Sequence, residues 1–133
     1  MAPDAIEDWP SEHIPDHDVL YMRVHRSYIR NGQLTPGVFR DQGDAMSVNW
    51  QRYCETPEAA RQLAKIPAEN GVVQLIAGEV RAVPLAVVHT PDRESGVRSH
   101  ADVRGAKTTE VRAKLMMRFR WCLWPLTNQG QVV

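Results

Sequence analysis

The sequence has few cysteines and no long apolar run. Its two cysteines, Cys54 and Cys122, lie far apart and form no Cys-x-x-Cys pair, so they predict no disulfide framework. The first residues lack the basic and apolar regions of a secretory signal peptide. No apolar run approaches the ~20 residues that span a bilayer. We therefore expect a soluble cytoplasmic protein that has no membrane partner.

Net charge is also lacking, because 16 basic and 16 acidic residues balance. The whole chain therefore gives no electrostatic indication of a nucleic-acid or membrane partner. The charge is nevertheless uneven: residues 1–18 hold six acids and no Lys or Arg, whereas residues 93–133 carry a net charge of +5. These two ends could pair with each other or meet an outside partner.

Familiar catalytic and cofactor motifs are missing as well. The sequence contains no G-x-x-x-x-G-K-[ST], no G-x-G-x-x-G, no G-x-S-x-G and no H-E-x-x-H. His13 and His17 stand four residues apart next to acids, but Pro15 between them argues against the helix that would align them. We expect no cofactor and no metal site.

The length of 133 residues fits one domain. Residues 1–17 hold three prolines and most of the N-terminal acids, which predicts either an extended arm or a disordered tail. We place a single α+β domain at residues 18–126 and a tail at residues 127–133.

The first half of the domain reads as strands with one short helix. Thr56-Pro57-Glu58 is typical of a helix start, and we expect this helix to end near Lys65. Its apolar stripe would consist of Ala59, Ala60, Leu63 and Ile66. Asn31-Gly32 favours a tight hairpin turn. Alternating or β-branched runs predict strands at residues 19–24, 46–50 and 72–77.

The second half reads as further strands and a longer helix. We predict strands at residues 80–83, 85–89 and 100–104. Thr108 resembles Thr56 as a helix start, and Pro125 would end the helix. The apolar residues between Thr108 and Pro125 recur at the spacing of one helix face; they are Val111, Leu115, Met116, Phe119, Cys122 and Leu123. The expected fold is α+β, a mostly antiparallel sheet with one short helix and one longer C-terminal helix packed on a face.

One group of residues could carry catalysis. If the strands at 85–89 and 100–104 form a hairpin, His89 and His100 lie at the base of its loop, and Asp102 shares a face with His100. Two imidazoles could then act as general base and acid, with Arg98 or Arg104 holding a phosphate, as in metal-independent ribonucleases. The alternative is two unrelated histidines and an Asp paired with a neighbouring Arg.

A second group could bind a partner. Trp121 and Trp124 would form either an exposed apolar patch or part of the core. The predicted long helix also carries cationic residues that could contact a protein, namely Arg112, Arg118 and Arg120. Together with Arg104, Lys107 and Lys114, they could instead contact a phosphate backbone.

These observations support three hypotheses. The first is a small accessory module, bacterial in origin, that binds a protein partner or a second copy of itself. The second is a hydrolase of the ribonuclease type that uses the histidine pair. The third is a nucleic-acid binder without catalysis.

Overall fold

A six-stranded antiparallel sheet is the centre of the structure. The computed structural model describes residues 9–126. The strands are β1 (Val19–His25), β2 (Ile29–Arg30), β3 (Gln33–Leu34), β4 (Met46–Trp50), β5 (Asn70–Ile76), β6 (Ala86–His89), β7 (His100–Arg104) and β8 (Arg120–Leu123). The helices are α1 (Pro57–Gln62), α2 (Ala77–Ala82) and α3 (Thr109–Met116). The large sheet has the order β6-β7-β4-β1-β5-β8, and β2 pairs with β3 separately. The predicted α+β class and antiparallel sheet are thereby confirmed.

One face of the sheet holds the main core. Alternate residues of the central strands point to this face, because side chains alternate along a strand. Leu20 pairs with Leu75, and Met22 pairs with Val73, across β1 and β5. Helices α2 and α3 and the turn at residues 36–38 cover these side chains, with Val80 and Leu115 fully buried. None of the helices within residues 9–126 is long and apolar enough to cross a membrane.

Within the described residues, the other face of the sheet is covered only in part. Helix α1 packs on β1 and β5, where Tyr21, Cys54, Ala60 and Val72 form a small second cluster. The remainder of that face, towards β4 and β7, carries polar side chains.

The predicted strand at residues 80–83 is wrong. These residues belong to α2 and the residue that caps it. Ala77 and Val80 are buried and stand three residues apart, so they share one helix face. A short apolar run is compatible with either a strand or a helix, and here the contact with the sheet selects the helix.

The predicted long C-terminal helix is also corrected. Helix α3 ends at Met116, and residues 120–123 form β8, which pairs with β5 at the edge of the sheet. Aromatic residues alternate in this segment at Phe119 and Trp121, a pattern that suits a strand beside an open edge. The short helix α1 likewise ends before Lys65, and Leu63 and Ile66 are 40% and 51% exposed instead of forming a buried stripe.

Residues 9–18 lie against the domain and are held by several contacts. Ile14 is 1% exposed within the core. Ser11 Oγ donates to the carbonyl of His89 at 2.6 Å. The Tyr53 hydroxyl donates to the carboxylate of Glu12. The remaining residues of the proposed N-terminal arm and the C-terminal tail lie outside the described part of the chain.

Replacing Gly71 by alanine tests the position of β8. A Cβ atom at Gly71 would lie 2.5 Å from the carbonyl oxygen of Leu123 and 2.8 Å from Cδ of Pro125. We expect Gly71→Ala to lower the free energy of unfolding by about 1–3 kcal/mol, because the edge strand must shift. Gly37→Ala is the control, since nothing lies within 4 Å of its added Cβ. Equal stability of the two variants in denaturant titrations would contradict the placement of β8.

Acidification tests the contacts of Glu12. The hydrogen bond from Tyr53 lowers the pKa of Glu12 below its ordinary value of 4.5, with help from the charges of Arg52 and Arg98. A lowered folded-state pKa stabilises the fold above the ordinary value, and this contribution is lost as the pH falls through the folded-state pKa. We expect the stability gap between wild type and Glu12→Gln to be full at pH 7 and to close as the pH falls below 4.5.

The exposed Glu55, which makes no ion pair in the described part of the chain, supplies the control variant Glu55→Gln. Melting temperatures across the pH series provide the measurement. A gap for Glu12→Gln that stays constant down to about pH 3, below the ordinary carboxyl range, would contradict the role of this carboxylate.

Candidate functional site

The predicted histidine pair is not brought together. Strands β6 and β7 do form the expected hairpin, with His89 opposite Ala101 and Val88 opposite Asp102. Residues that pair directly share a face, so His89 lies on the core face with Ala101. His100 is the next residue along β7 and therefore points to the opposite face. The two rings would share a face only if the pairing of β6 with β7 were shifted by one residue, so the observed register separates them.

His89 is held as a structural residue. It is 1% exposed, and its ring stacks on Tyr53 with centroids 5.8 Å apart. Nε2 lies 2.7 Å from the carbonyl oxygen of Arg98, which can only accept, so Nε2 carries the proton. Nδ1 then accepts from the backbone N–H of Glu12 at 3.1 Å. Both ring nitrogens are occupied, which leaves neither for proton transfer to a substrate.

His100 has different neighbours from those expected. Its Nδ1 lies 2.8 Å from Oγ1 of Thr90 and 3.2 Å from the Thr90 carbonyl oxygen. Its Nε2 lies 3.3 Å from Oγ of Ser47 on the adjacent strand β4. Asp102 instead pairs with Arg104 at 3.1 Å. The orienting partner of His100 is therefore Thr90, not Asp102.

The residues predicted to bind a partner are spread over α3, the turn after it and β8. Arg112 donates from Nε to the carbonyl of Phe39 at 2.8 Å, which is an internal role. Arg118 lies 3.8 Å from a carboxylate oxygen of Glu79, and Arg120 is exposed on β8.

The two tryptophans behave as one stacked unit. The rings of Trp121 and Trp124 lie 4.0 Å apart at an angle of 15°. Both are half-buried, and Trp121 also packs against the main core. They therefore secure the edge strand and still present some surface.

A different residue, Arg23, is a charged side chain in the middle of the sheet. It lies in β1, the strand between β4 and β5, and its side chain is on the face opposite the main core. Burial lowers the pKa of this guanidinium, but an arginine stays protonated in proteins. Within the described part of the chain Arg23 makes no hydrogen bond and no ion pair. A partly desolvated charge without a partner is costly.

Arg23 opens into a cavity of about 460 Å³. This volume lies in the range of small-molecule sites, about 300–1,000 Å³. Arg23 and Ser47 are half-buried in it, whereas Arg40 and Lys65 are exposed at its edge. The described residues that line it are Arg23, His25, Tyr28, Val38, Arg40, Gln42, Ser47, Ala64, Lys65 and Asn70.

The charge of this cavity has one sign. Among residues 9–126, its lining includes two arginines and a lysine and no carboxylate. Glu69, which contacts the lining residue His25 at 3.0 Å, also faces Arg26 at 3.4 Å. In a chain with no net charge, such a local excess of cations favours an anion and disfavours a metal ion.

Neutral groups in the lining retain hydrogen-bonding capacity. Gln42 accepts from the N–H of Ser47 through Oε1 at 2.8 Å, which leaves its amide N–H groups available. Asn70 donates from Nδ2 to the carbonyl of Ile66 at 3.1 Å, which leaves its Oδ1 available. Arg40 donates to the hydroxyl of Tyr28 at 2.6 Å and so fixes this aromatic ring at the cavity. The cavity could therefore recognise a ligand through its charge, through hydrogen bonds and through aromatic stacking.

The sequence contained one signal for this site. Arg23 and His25 occupy alternate positions of an otherwise apolar strand, on the face shared by Val19 and Tyr21. No local sequence pattern indicated that Arg40 and Lys65 belong to this cavity, because two separate loops bring them to the strand. Comparison with known protein families, with curated proteins and with solved structures finds no match to this chain.

Replacing Arg23 by methionine tests whether its charge is unpaired. Methionine keeps an unbranched apolar stem and removes the desolvated charge. We expect stability to be unchanged or higher by about 1 kcal/mol. Arg112→Met is the control and should lose stability, since it removes the hydrogen bond to Phe39. A clear loss of stability for Arg23→Met in denaturant titrations would show that the guanidinium has a stabilising internal partner.

Proposed function

We propose that this protein binds a nucleoside phosphate in the cavity around Arg23. The observation that supports the proposal is the half-buried guanidinium in the middle of the sheet, which makes no hydrogen bond and no ion pair within residues 9–126. Groups in a cleft whose pKa is perturbed by burial, as that of Arg23 is, are candidates for a functional site. An anionic ligand would supply the missing partner.

Phosphate is the anion that best fits the donors. A guanidinium can give two parallel hydrogen bonds to phosphate oxygens, and such charge-assisted bonds are about twice as strong as neutral ones. Arg23 lies deep enough to contact a phosphate inside the cavity, and Lys65 at the edge adds charge without needing a fixed geometry.

The remaining lining favours a nucleoside over a bare phosphate. Tyr28 offers an aromatic face of the kind on which bases stack. The free N–H groups of Gln42 and the free Oδ1 of Asn70 match the donors and acceptors on a base or sugar. Together they would hold a mononucleotide or one nucleotide of a single-stranded RNA.

The protein-partner hypothesis stays a prediction. The half-exposed pair formed by Trp121 on the edge strand β8 and Trp124 just after it supports this hypothesis. The cationic residues named with them are dispersed, and Arg112 is used internally. The cavity is the more specific feature, because charge, volume and aromatic surface meet in one place.

Calorimetric titration with the four nucleoside 5′-monophosphates, and with a single-stranded RNA hexamer, tests this proposal at low salt. We expect binding by wild type and at least about ten-fold weaker binding by Arg23→Met, equivalent to losing about 1.4 kcal/mol. Arg93→Met, at an exposed arginine outside the cavity, should bind like wild type.

Two further comparisons refine the result. Tyr28→Leu should weaken nucleotide binding more than it weakens binding of inorganic phosphate, because only the nucleotide has a base to stack. Affinity that is highest for the hexamer would indicate RNA, and equal affinity would indicate a free nucleotide. Absence of binding, or binding that Arg23→Met leaves unchanged, would refute the proposal.

A further inference from the structure

We propose that the cavity also carries a reaction, in which Ser47 is the nucleophile of phosphoryl transfer and His100 is its base. This inference rests on the proposed function, because it takes the bound nucleoside phosphate as substrate. Ser47 lines the cavity, and its Oγ lies 3.3 Å from Nε2 of His100. A serine beside a base that a third group orients is the arrangement that activates a hydroxyl for attack.

The proton positions on His100 suit this role. Nδ1 contacts the carbonyl oxygen of Thr90 at 3.2 Å, and a carbonyl oxygen can only accept. Nδ1 therefore carries the proton, which leaves the lone pair of Nε2 directed at the hydroxyl of Ser47. The two contacts with Thr90 also fix the orientation of the ring.

Ser47 and Arg23 are placed to act on one phosphate. The antiparallel register that pairs Tyr21 with Asn49 brings Arg23 and Ser47 to neighbouring strand positions on the same face. Arg23 would contact the non-bridging oxygens while Ser47 approaches phosphorus. Preorganised positive charge of this kind stabilises the transition state of phosphoryl transfer.

The reaction balances with one histidine. In the first step the Ser47 Oγ–P bond forms as the serine proton passes to Nε2 of His100, and the ester P–O bond breaks on the opposite side of phosphorus, where the leaving oxygen takes a proton from solvent water. In the second step a water attacks phosphorus opposite Oγ and releases its proton to solvent, and the Oγ–P bond breaks as Oγ takes the proton held on Nε2. The products are an alcohol and a phosphate. A single histidine serves because it is base and acid in turn, so His89 is not required.

The substrate class is a nucleoside phosphate ester. A monoester would be a free nucleotide, and a diester would be a linkage within single-stranded RNA. Phosphate release from 5′-nucleotides and cleavage of the labelled hexamer distinguish these two sources. Both assays use the full chain, with binding measured on the same samples.

The variants Ser47→Ala and His100→Gln test the roles of the two groups. We expect each to lower turnover by about 100-fold or more, while Ser47→Ala binds nucleotide within about three-fold of wild type, since Arg23 remains. Ser95→Ala, at an exposed serine outside the cavity, is the matched control and should keep full activity. Acid-quenched wild type should carry a phosphoryl or nucleotidyl adduct on the peptide that contains Ser47.

The outcomes separate this inference from the proposed function. Nucleotide binding without turnover, or turnover that Ser47→Ala retains, would overturn the nucleophile and leave the binding site standing. Absence of nucleotide binding by wild type would overturn the binding site and the reaction together.

Discussion

The alternation of side chains along β1 determines where the core ends and where the site begins. Leu20, Met22 and Val24 point into the main core and are at most 2% exposed. Arg23 and His25 occupy the intervening positions and line the cavity on the opposite face. Because β1 pairs along its whole length with β5, a shift of one residue would exchange these two sets and place the guanidinium in the core. The packing that stabilises the sheet thus also fixes the site.

The guanidinium of Arg23, which makes no hydrogen bond and no ion pair within residues 9–126, explains why the cavity is suited to binding. Partial burial strengthens the attraction of Arg23 for an anion and makes the lack of a partner among these residues costly. A phosphate at this position would remove that cost, so part of the binding energy would come from relief of desolvation. The adjacent Ser47 and His100 give the same position a chemical use. Binding and the proposed reaction therefore share one phosphate position.

Local signals predicted local structure well. Thr56 and Thr108 accept from the N–H groups of Ala59 and Val111, as helix-capping residues do, and Asn31 adopts the positive φ of a tight turn. The segments at 80–83 and 120–123 were assigned wrongly because a short apolar run fits both the helical and the strand period. Contacts with the neighbouring sheet determine which structure it adopts. The site was harder still. The positions of its histidines depend on strand register. The lack of a partner for Arg23 among residues 9–126 is visible only in the assembled fold.

A crystal structure of the full chain with a nucleoside 5′-monophosphate tests the central claim most directly. We expect phosphate oxygens about 2.7–2.9 Å from the guanidinium nitrogens of Arg23, as in charge-assisted pairs. We also expect the base against Tyr28 and the phosphorus facing Ser47. A phosphate bound elsewhere, with Arg23 paired to a carboxylate of the protein, would contradict it.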